Sequence, residues 1–486
     1  MTATATLAMQ MLLVSIALVA AVFSNRLSTL IRVPAPALFL VAAAVLAHLF
    51  PALGSLPRNT AESLVTIALV FILFDGGMHI GWKQFRRSLG AITWLGIAGT
   101  LVTAAAITAA AFFLLGIDLR LSLLLGAAVA PTDPAVVFSV LGKREISGRT
   151  GTILEGESGA NDPVGIALLV SILVATGTGS SAIWSGAAVF GLQLVVGAAI
   201  GIAGGWGLAK LIRYAALPNE ALYSVSTIAC ATLIFGVATL LHGSGFLAVL
   251  LAGILVGDTR APFKREIRRF ASGLATIGEI AAFSILGLSV PLGVVIEPQV
   301  IWPGLAIAAL LIFVARPLFV GLLLIPVKLR LGERAFVLWA GLKGAVPILL
   351  GMFILGAGIP GGQRVFGIIF VVVLVSVVLQ GGLVPLFARV FRVPMRVIEP
   401  QPWASGLRFR ERPDGLGEYT VKAGSIADGA TIDALELGQD GWVSLVRRRG
   451  ALVQVRGSTT LKAGDVVLAL GDGSDTLDRL FEARHG

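Results

Sequence analysis

Residues that build metal centres and disulfides are nearly absent from this sequence. Its 486 residues include one cysteine, Cys230, and four histidines scattered along the chain. One cysteine cannot form a disulfide within the chain, and the histidines lack the spacing of a zinc site. No residue resembles a nucleophile beside its base. We therefore expect a protein that is not an enzyme and that needs no cofactor or resident metal for its main activity.

Charge is also scarce, at 13% of the chain against about 25% in ordinary soluble proteins. The scarcity is confined to the first 400 residues, which hold 26 Lys/Arg and 15 Asp/Glu, whereas residues 401–486 hold 11 and 12. The sequence therefore predicts a membrane domain over 1–395, a linker over 396–417 and a small water-soluble module over 418–486. Because the basic residues lie in short loops and not in one patch, we expect the lipid bilayer, and no nucleic acid, as a partner.

Long apolar runs fill the first domain, and a bilayer-spanning helix needs about 20 mostly apolar residues. The sequence predicts an all-α polytopic fold of about thirteen spans, centred on residues 7–24, 34–50, 60–78, 89–115, 121–141, 150–176, 183–209, 219–241, 244–257, 273–293, 299–325, 335–357 and 363–388. Loops after odd-numbered spans hold 21 basic residues and loops after even-numbered spans hold three. Since cytoplasmic loops carry the excess of Lys and Arg, we predict a multi-pass protein of the cytoplasmic membrane with its N-terminus outside and its C-terminal module in the cytoplasm.

Several charged residues fall inside these predicted spans, where a charge is costly and normally faces a polar cavity or a partner. They are Asp75, Asp133, Glu157, Asp162, Glu279, Arg316 and Lys343. Such a set favours a hydrated ion path over an anchoring role.

The densest polar group is the segment 157–163 (Glu-Ser-Gly-Ala-Asn-Asp-Pro) of span 6. On a helix, Ser158 and Asp162 share one face, and Glu157 and Asn161 share the adjacent one. The hydroxyl and the carboxylate offer hard oxygen ligands to an alkali cation. A polar seam for helix packing is the alternative interpretation.

Two spans carry helix-breaking sequences at corresponding positions in the two halves of the domain. They are 131–134 (Pro-Thr-Asp-Pro) in span 5 and 341–347 (Gly-Leu-Lys-Gly-Ala-Val-Pro) in span 12. Paired broken helices indicate the ion site of a secondary transporter, with spans 1–6 and 8–13 as inverted repeats. Asp133 and Lys343 would then neutralise the dipole ends of the broken helices, and Asp133 is also near enough to Thr132 to bind substrate. For either break alone, a simple proline kink is the alternative.

The other intramembrane charges allow more than one role. Arg316 would keep Glu157 ionised if the two formed a core ion pair, but the sequence leaves other acids open as its partner. Asp75 either lines the cytoplasmic entrance or caps its helix at the interface. Glu279 is either a pathway acid or the partner of a neighbouring base.

The segments 132–134, 157–163 and 341–347 together resemble those of the monovalent cation:proton antiporters, in the NhaP-like sodium/proton exchanger branch. The resemblance covers most of the first domain. It implies a homodimer of thirteen-helix subunits with crossing broken helices, which exchanges ions by an elevator-like movement.

The resemblance also implies roles for individual residues. Asp162 would bind the cation or the proton, and four neighbours would help it, namely Ser158, Asn161, Thr132 and Asp133. Glu157 and Arg316 match a core ion pair, and Asp75 matches an acid near the site. Electrogenic relatives carry a second Asp where Asn161 stands, so the resemblance implies electroneutral one-for-one exchange. Lys343 stands where many relatives carry Arg, and it keeps the charge without the bidentate fork.

The tail resembles the C-terminal ligand-binding domain of potassium-transport regulators, the TrkA-C or RCK-C type. Short β-runs, polar turns and a terminal helix at 476–484 predict a small α/β module. The run Arg447-Arg448-Arg449 either contacts an anionic regulatory ligand, such as a cyclic dinucleotide, or forms a solvated basic edge.

These features favour a secondary antiporter that exchanges K⁺ or Na⁺, or both, for H⁺ under regulation by the tail. Burial would penalise the charged form of Asp162, so that a proton and a cation displace one another there. A ligand-gated potassium channel or efflux system with the same tail remains an alternative, as does a proton-coupled carrier of organic solutes. Hard oxygen ligands by themselves suit either alkali ion.

Overall fold

The structure is a computed structural model that describes residues 19, 33–50, 56–141, 144–146, 148–175, 180–259, 261–397, 416–435, 437, 442–448, 451–470 and 474–481. The first predicted span at 7–24 lies outside these residues apart from Val19, as does all but the ends of the predicted linker at 396–417. The chain divides into two compact units, Met1–Ile398 and Glu399–Gly486.

The first unit is a bundle of apolar helices. Its described helices are α1 Ala35–Leu49, α2 Arg58–Thr93, α3 Thr100–Phe113, α4 Leu119–Val129, α5 Ala135–Leu141, α6 Arg149–Val174, α7 Ser180–Tyr214, α8 Glu220–Leu240, α9 Gly245–Gly257, α10 Lys264–Leu288, α11 Leu292–Val295, α12 Pro298–Leu323, α13 Leu331–Trp339, α14 Ala345–Gly356, α15 Gly362–Gln380 and α16 Val384–Val390. Within the described ranges, and with α2 and α3 counted together, seven helices are long and apolar enough to cross a membrane, and four shorter apolar helices accompany them. The helical polytopic fold is therefore confirmed, whereas the count of thirteen spans is not.

Two predicted spans follow one another without a loop, across a kink that interrupts the helical backbone. The spans expected at 60–78 and 89–115 are joined as α2, a π-helical segment at Trp94–Gly99, and α3. The expected loop between them is replaced by a kink at Gly81, whose φ of 67° lies in the left-handed region that favours glycine. The carboxylate of Asp258 accepts a hydrogen bond from the backbone N–H of Lys83 at 2.5 Å and so supports this kink.

Both predicted broken helices are present. Residues 130–134 separate α4 from α5, and residues 340–344 separate α13 from α14. The breaks meet each other, because the N–H of Asp133 donates to the C=O of Leu342 at 2.7 Å. The crossing of two interrupted helices thus agrees with the prediction from the prolines and glycines.

Helices from both halves of the unit surround this crossing. α4 packs against α6, α14 and α15, and α14 packs against α6, α15, α2 and α10. Two short strands, β1 Arg144–Ile146 and β2 Met395–Val397, also pair in antiparallel fashion, with Glu145 opposite Arg396. The all-helical prediction for this domain omitted that strand pair.

The second unit contains an antiparallel sheet and a short helix, in agreement with the predicted α/β module. Its strands β3 Leu416–Thr420, β4 Trp442–Arg448, β5 Ala451–Val453 and β6 Val466–Leu470 are arranged in the order β3-β6-β4-β5. α17, Ser474–Phe481, packs against β3. Alternate residues of the central strands, such as Val446 and Val467, are fully buried in one apolar core.

Candidate functional site

The polar segment of α6 lies at the crossing of the broken helices. Four of its polar side chains are at most 9% exposed, namely Glu157, Ser158, Asn161 and Asp162. Buried polar groups normally have hydrogen-bond partners. The hydrogen bonds of Glu157, Ser158 and Asn161 hold the structure together, whereas Asp162 receives none from a described residue.

Asn161 and Ser158 hold the first break through Thr132. The backbone N–H of Thr132 donates to Oδ1 of Asn161 at 3.2 Å, and Nδ2 of Asn161 donates to Oγ1 of Thr132 at 2.7 Å. The hydroxyl of Ser158 donates to the C=O of Thr132. Side chains of α6 thus replace backbone hydrogen bonds that an unbroken α4–α5 helix would make for itself.

Opposite charges occupy the two helix ends at the crossing. Lys343 is fully buried, and its Nζ donates to the carbonyl oxygens of Ala130 and Pro131 at 2.8 and 2.9 Å, at the C-terminal end of α4. The carboxylate of Asp133 lies against Gly344, the residue before the N-terminus of α14, where a Cβ atom would overlap it. A cation at a C-terminus and an acid at an N-terminus both oppose the helix dipole.

Arg316 joins Glu157 to the second broken helix. Its Nη2 donates to Oε1 of Glu157 at 2.8 Å, and both side chains are 4% exposed. The same guanidinium donates to the carbonyl oxygens of Leu338 and Val337 at 3.0 and 3.2 Å, in the last turn of α13. Glycine is required at Gly341, since a Cβ atom there would overlap the guanidinium.

Asp162 differs from its neighbours, because no described residue donates a hydrogen bond to its carboxylate. The charged groups close enough to act on it are Asp133 and Lys343. Glu279 of α10 lies within electrostatic range of Asp133, and among the described residues it too has no hydrogen-bond donor. The crossing therefore brings Asp162 near Asp133 and Lys343, with Glu279 near Asp133, and leaves the Asp162 carboxylate available to a ligand.

Asp75 contacts one residue of α10 and one residue of its own helix. Its Oδ1 accepts a hydrogen bond from the hydroxyl of Ser272 at 2.8 Å, and its Oδ2 lies 3.5 Å from Nδ1 of His79. The hydrogen bond from Ser272 connects α2 to α10. The position of Asp75 near the ion site, which the resemblance implies, stays a prediction.

Three polar residues of the site or its surroundings were missed by the sequence reasoning. Ser376 and Gln380 of α15 are each 1% exposed and bond to the second break. Glu62 of α2 has a buried Oε1 without a hydrogen-bond partner, next to Gly356 at the end of α14. Each is a polar residue inside an apolar predicted span, and this is the signal by which the sequence could have identified it.

The arginine run of the tail is only partly free to bind a ligand. Arg448 donates to both carboxylate oxygens of Asp465, at 2.8 and 2.7 Å, and these hydrogen bonds hold the pKa of Asp465 below its usual value. Arg448 is therefore engaged inside the module. Arg447 lies in β4, and Arg449 is outside the described residues.

Within the described ranges, no group of three or more His, Cys, Asp or Glu side chains could hold a resident metal ion. The site offers instead the carboxylate of Asp162 near two interrupted helices, which is the arrangement that secondary transporters build at the membrane midplane.

The fold and this site define the class, a polytopic secondary transporter with crossing broken helices. The chain belongs to the sodium/hydrogen exchanger family, whose transmembrane model matches residues 13–390. A TrkA-C domain model matches residues 416–483.

Named relatives agree with this family. The chain is 39% identical over 326 residues to the K(+)/H(+) antiporter NhaP of Alkalimonas amylolytica, an alignment that covers 67% of this chain and 56% of that protein. It is 33% identical over 431 residues to the K(+)/H(+) antiporter NhaP2 of Shewanella sp. (strain MR-4), covering 87% and 74%. The solved structure of the sodium proton antiporter MjNhaP1 from Methanocaldococcus jannaschii has a TM-score of 0.64 and 24% identity, covering 77% of this chain and 99% of that one.

Proposed function

We propose that the chain is a secondary antiporter that exchanges a monovalent cation, K⁺ or Na⁺, for H⁺, with Asp162 as the shared binding residue. The observation that carries the proposal is the Asp162 carboxylate, which lies beside both helix breaks and receives no hydrogen bond from a described residue. A buried carboxylate without donors is stabilised either by a proton or by a cation. The two ligands therefore compete for the same oxygens.

The neighbours of Asp162 take different parts in this scheme. Ser158 uses its proton on the C=O of Thr132, so the lone pairs of its hydroxyl oxygen remain available to a cation. Both functional atoms of the Asn161 amide are engaged with Thr132. Asn161 then acts by positioning the break, and Ser158 with Asp162 and Asp133 supplies the oxygen ligands.

Charge balance explains why exchange is obligatory. Without a bound ion, Asp162 carries a negative charge. Moving that charge through a low-dielectric barrier costs free energy, so the empty site does not change the side to which it is exposed. A proton or an alkali cation cancels that charge, so only the loaded site changes its exposure from one side to the other. One titrating acid at this position, with Asn161 beside it, supports electroneutral one-for-one exchange.

The remaining assignments follow the relatives and the distribution of charge. The relatives at 39% and 33% identity are named for K⁺, and the TrkA-C module resembles domains of potassium-transport regulators, so we favour K⁺ over Na⁺. The excess of basic residues in alternate loops supports a cytoplasmic tail and an external N-terminus in the cytoplasmic membrane. The homodimer and a regulatory anion at the tail are proposed on the resemblance.

Purified protein in proteoliposomes tests this function. Internal pH is followed after addition of K⁺, Na⁺ or Li⁺, with membrane voltage clamped by an ionophore. We expect cation-dependent proton movement for the wild type, none for Asp162→Asn, and normal exchange for Glu220→Gln, which neutralises an exposed acid in the same way. Exchange at the wild-type rate in Asp162→Asn would refute the site, and a conductance without proton movement would indicate a channel.

A further inference from the structure

The second broken helix lacks one particular backbone hydrogen bond. In a continuous α-helix the N–H of Lys343 would donate to the C=O four residues earlier, which belongs to Trp339. Here the N–H of Lys343 donates to the hydroxyl of Ser376 at 3.0 Å, and the C=O of Trp339 accepts from Nε2 of Gln380. Two side chains of α15 therefore bond to the donor and to the acceptor that the missing hydrogen bond would have joined.

These two side chains are also joined to each other. The hydroxyl of Ser376 donates to Oε1 of Gln380 at 2.8 Å, so the donors run in one direction from Lys343 through Ser376 and Gln380 to Trp339. The indole Nε1 of Trp339 in turn donates to the backbone C=O of Gln380 at 3.2 Å. Ser376 and Gln380 are each 1% exposed, so water does not substitute for either of them easily.

We propose that Ser376 and Gln380 are positioning residues that hold the second break open and thereby set the affinity of the cation site. The hydrogen-bond chain from Lys343 through Ser376 and Gln380 to Trp339, here called the relay, fixes the backbone of Lys343. The Nζ of Lys343 bonds to Ala130 and Pro131, next to Thr132 of the first break. Without the relay, the 339–343 segment is free to close its own helical hydrogen bond. Closing it moves the lysine charge away from the first break and changes the field at Asp162.

The inference rests on the proposed antiport, and it is tested with the full-length protein in proteoliposomes. Ser376→Ala removes both the acceptor for Lys343 and the donor to Gln380, Ser376→Thr keeps the hydroxyl, and Gln380→Leu removes the amide. Ser171→Ala is the matched control, because the hydroxyl of this 2% exposed serine bonds, among the described residues, to Ala167 in its own helix and to Gln193. The apparent KM for K⁺, the maximal rate, the pH profile of exchange and the amount of folded protein are measured for each.

We expect Ser376→Ala and Gln380→Leu each to raise the apparent KM about tenfold, which corresponds to about 1.4 kcal/mol, and to shift the pH profile. Ser376→Thr restores the wild-type KM, and the double variant is no worse than the more severe single one, because members of one network are not additive. A wild-type KM and pH profile in Ser376→Ala, with a maximal rate reduced only in proportion to folded protein, would overturn the relay alone. Loss of exchange in the wild type would overturn the antiport and the relay together.

Discussion

Removal of the Arg316 guanidinium is expected to destabilise the membrane unit strongly. In Arg316→Met, Glu157 stays buried at 3% exposure and loses the donor to its Oε1, while its Oε2 already has no hydrogen-bond partner. Breaking a buried ion pair by removing one partner costs about 3–5 kcal/mol. The carbonyls of Val337 and Leu338 also lose donors, which adds about 1 kcal/mol or more. The expected loss in free energy of unfolding is therefore about 4–6 kcal/mol.

Thermal unfolding followed by size-exclusion chromatography in detergent measures this effect. At about 2–4 °C per kcal/mol for domains of 150–250 residues, a loss of about 4–6 kcal/mol is expected to lower the Tm by roughly 8–24 °C. The control Arg364→Met removes a more exposed guanidinium that donates to a single carbonyl, that of Gln299, and it should change little. The decisive variant is the double substitution Glu157→Gln with Arg316→Met. It removes the stranded charge, and so it should recover part of the lost Tm.

Two results would refute this account of the ion pair. A wild-type Tm in Arg316→Met would mean that Glu157 is stabilised without the guanidinium. A double variant less stable than Arg316→Met would mean that the cost comes from packing and not from an uncompensated charge.

Three further substitutions follow from the same geometry. Lys343→Met removes two charge-assisted hydrogen bonds to the end of α4, so a loss of about 3 kcal/mol or more is expected in the same unfolding assay. Gly344→Ala places a methyl group in the space of the Asp133 carboxylate, and transport in proteoliposomes should fall at least about tenfold with protein still folded. In the tail, the depressed pKa of Asp465 contributes stability that is present above the unfolded carboxyl pKa of about 3.9 and is lost as pH falls through the folded pKa. In Asp465→Asn the amide hydrogens of β4 and β6 should therefore exchange with solvent faster than in the wild type at pH 7. The difference between the two rates should be smaller at pH 3.

The broken helices are predictable from sequence because their cause is local. Prolines at Pro131 and Pro134 remove backbone donors, and the glycines at Gly341 and Gly344 accept close contacts that a side chain would block. The polar segment of α6 is equally visible, since carboxylates and amides are rare in an apolar span.

The hydrogen-bond partners of the buried polar side chains are harder to predict from sequence, because they depend on which helices pack together. Nothing local distinguishes Ser376 from a serine that bonds to its own helix, and its bond to Lys343 exists only because α15 packs beside the break. The kink at Gly81 is a similar case, since a glycine in a polar stretch predicts a loop as readily as a bend. Asp75 is a further case, since its hydrogen-bond donor Ser272 belongs to another helix.

The small strand pair β1–β2 has a consequence for the way the two units are connected. β1 stands between the second half of the first broken helix and the helix that carries Asp162, and β2 ends one residue before the boundary of the first unit. The polypeptide that leads to the tail therefore leaves the first unit from a strand paired with the segment between α5 and α6. In the proposed exchange, a movement of α6 would be transmitted to the start of this polypeptide through the three residue pairs of β1 and β2.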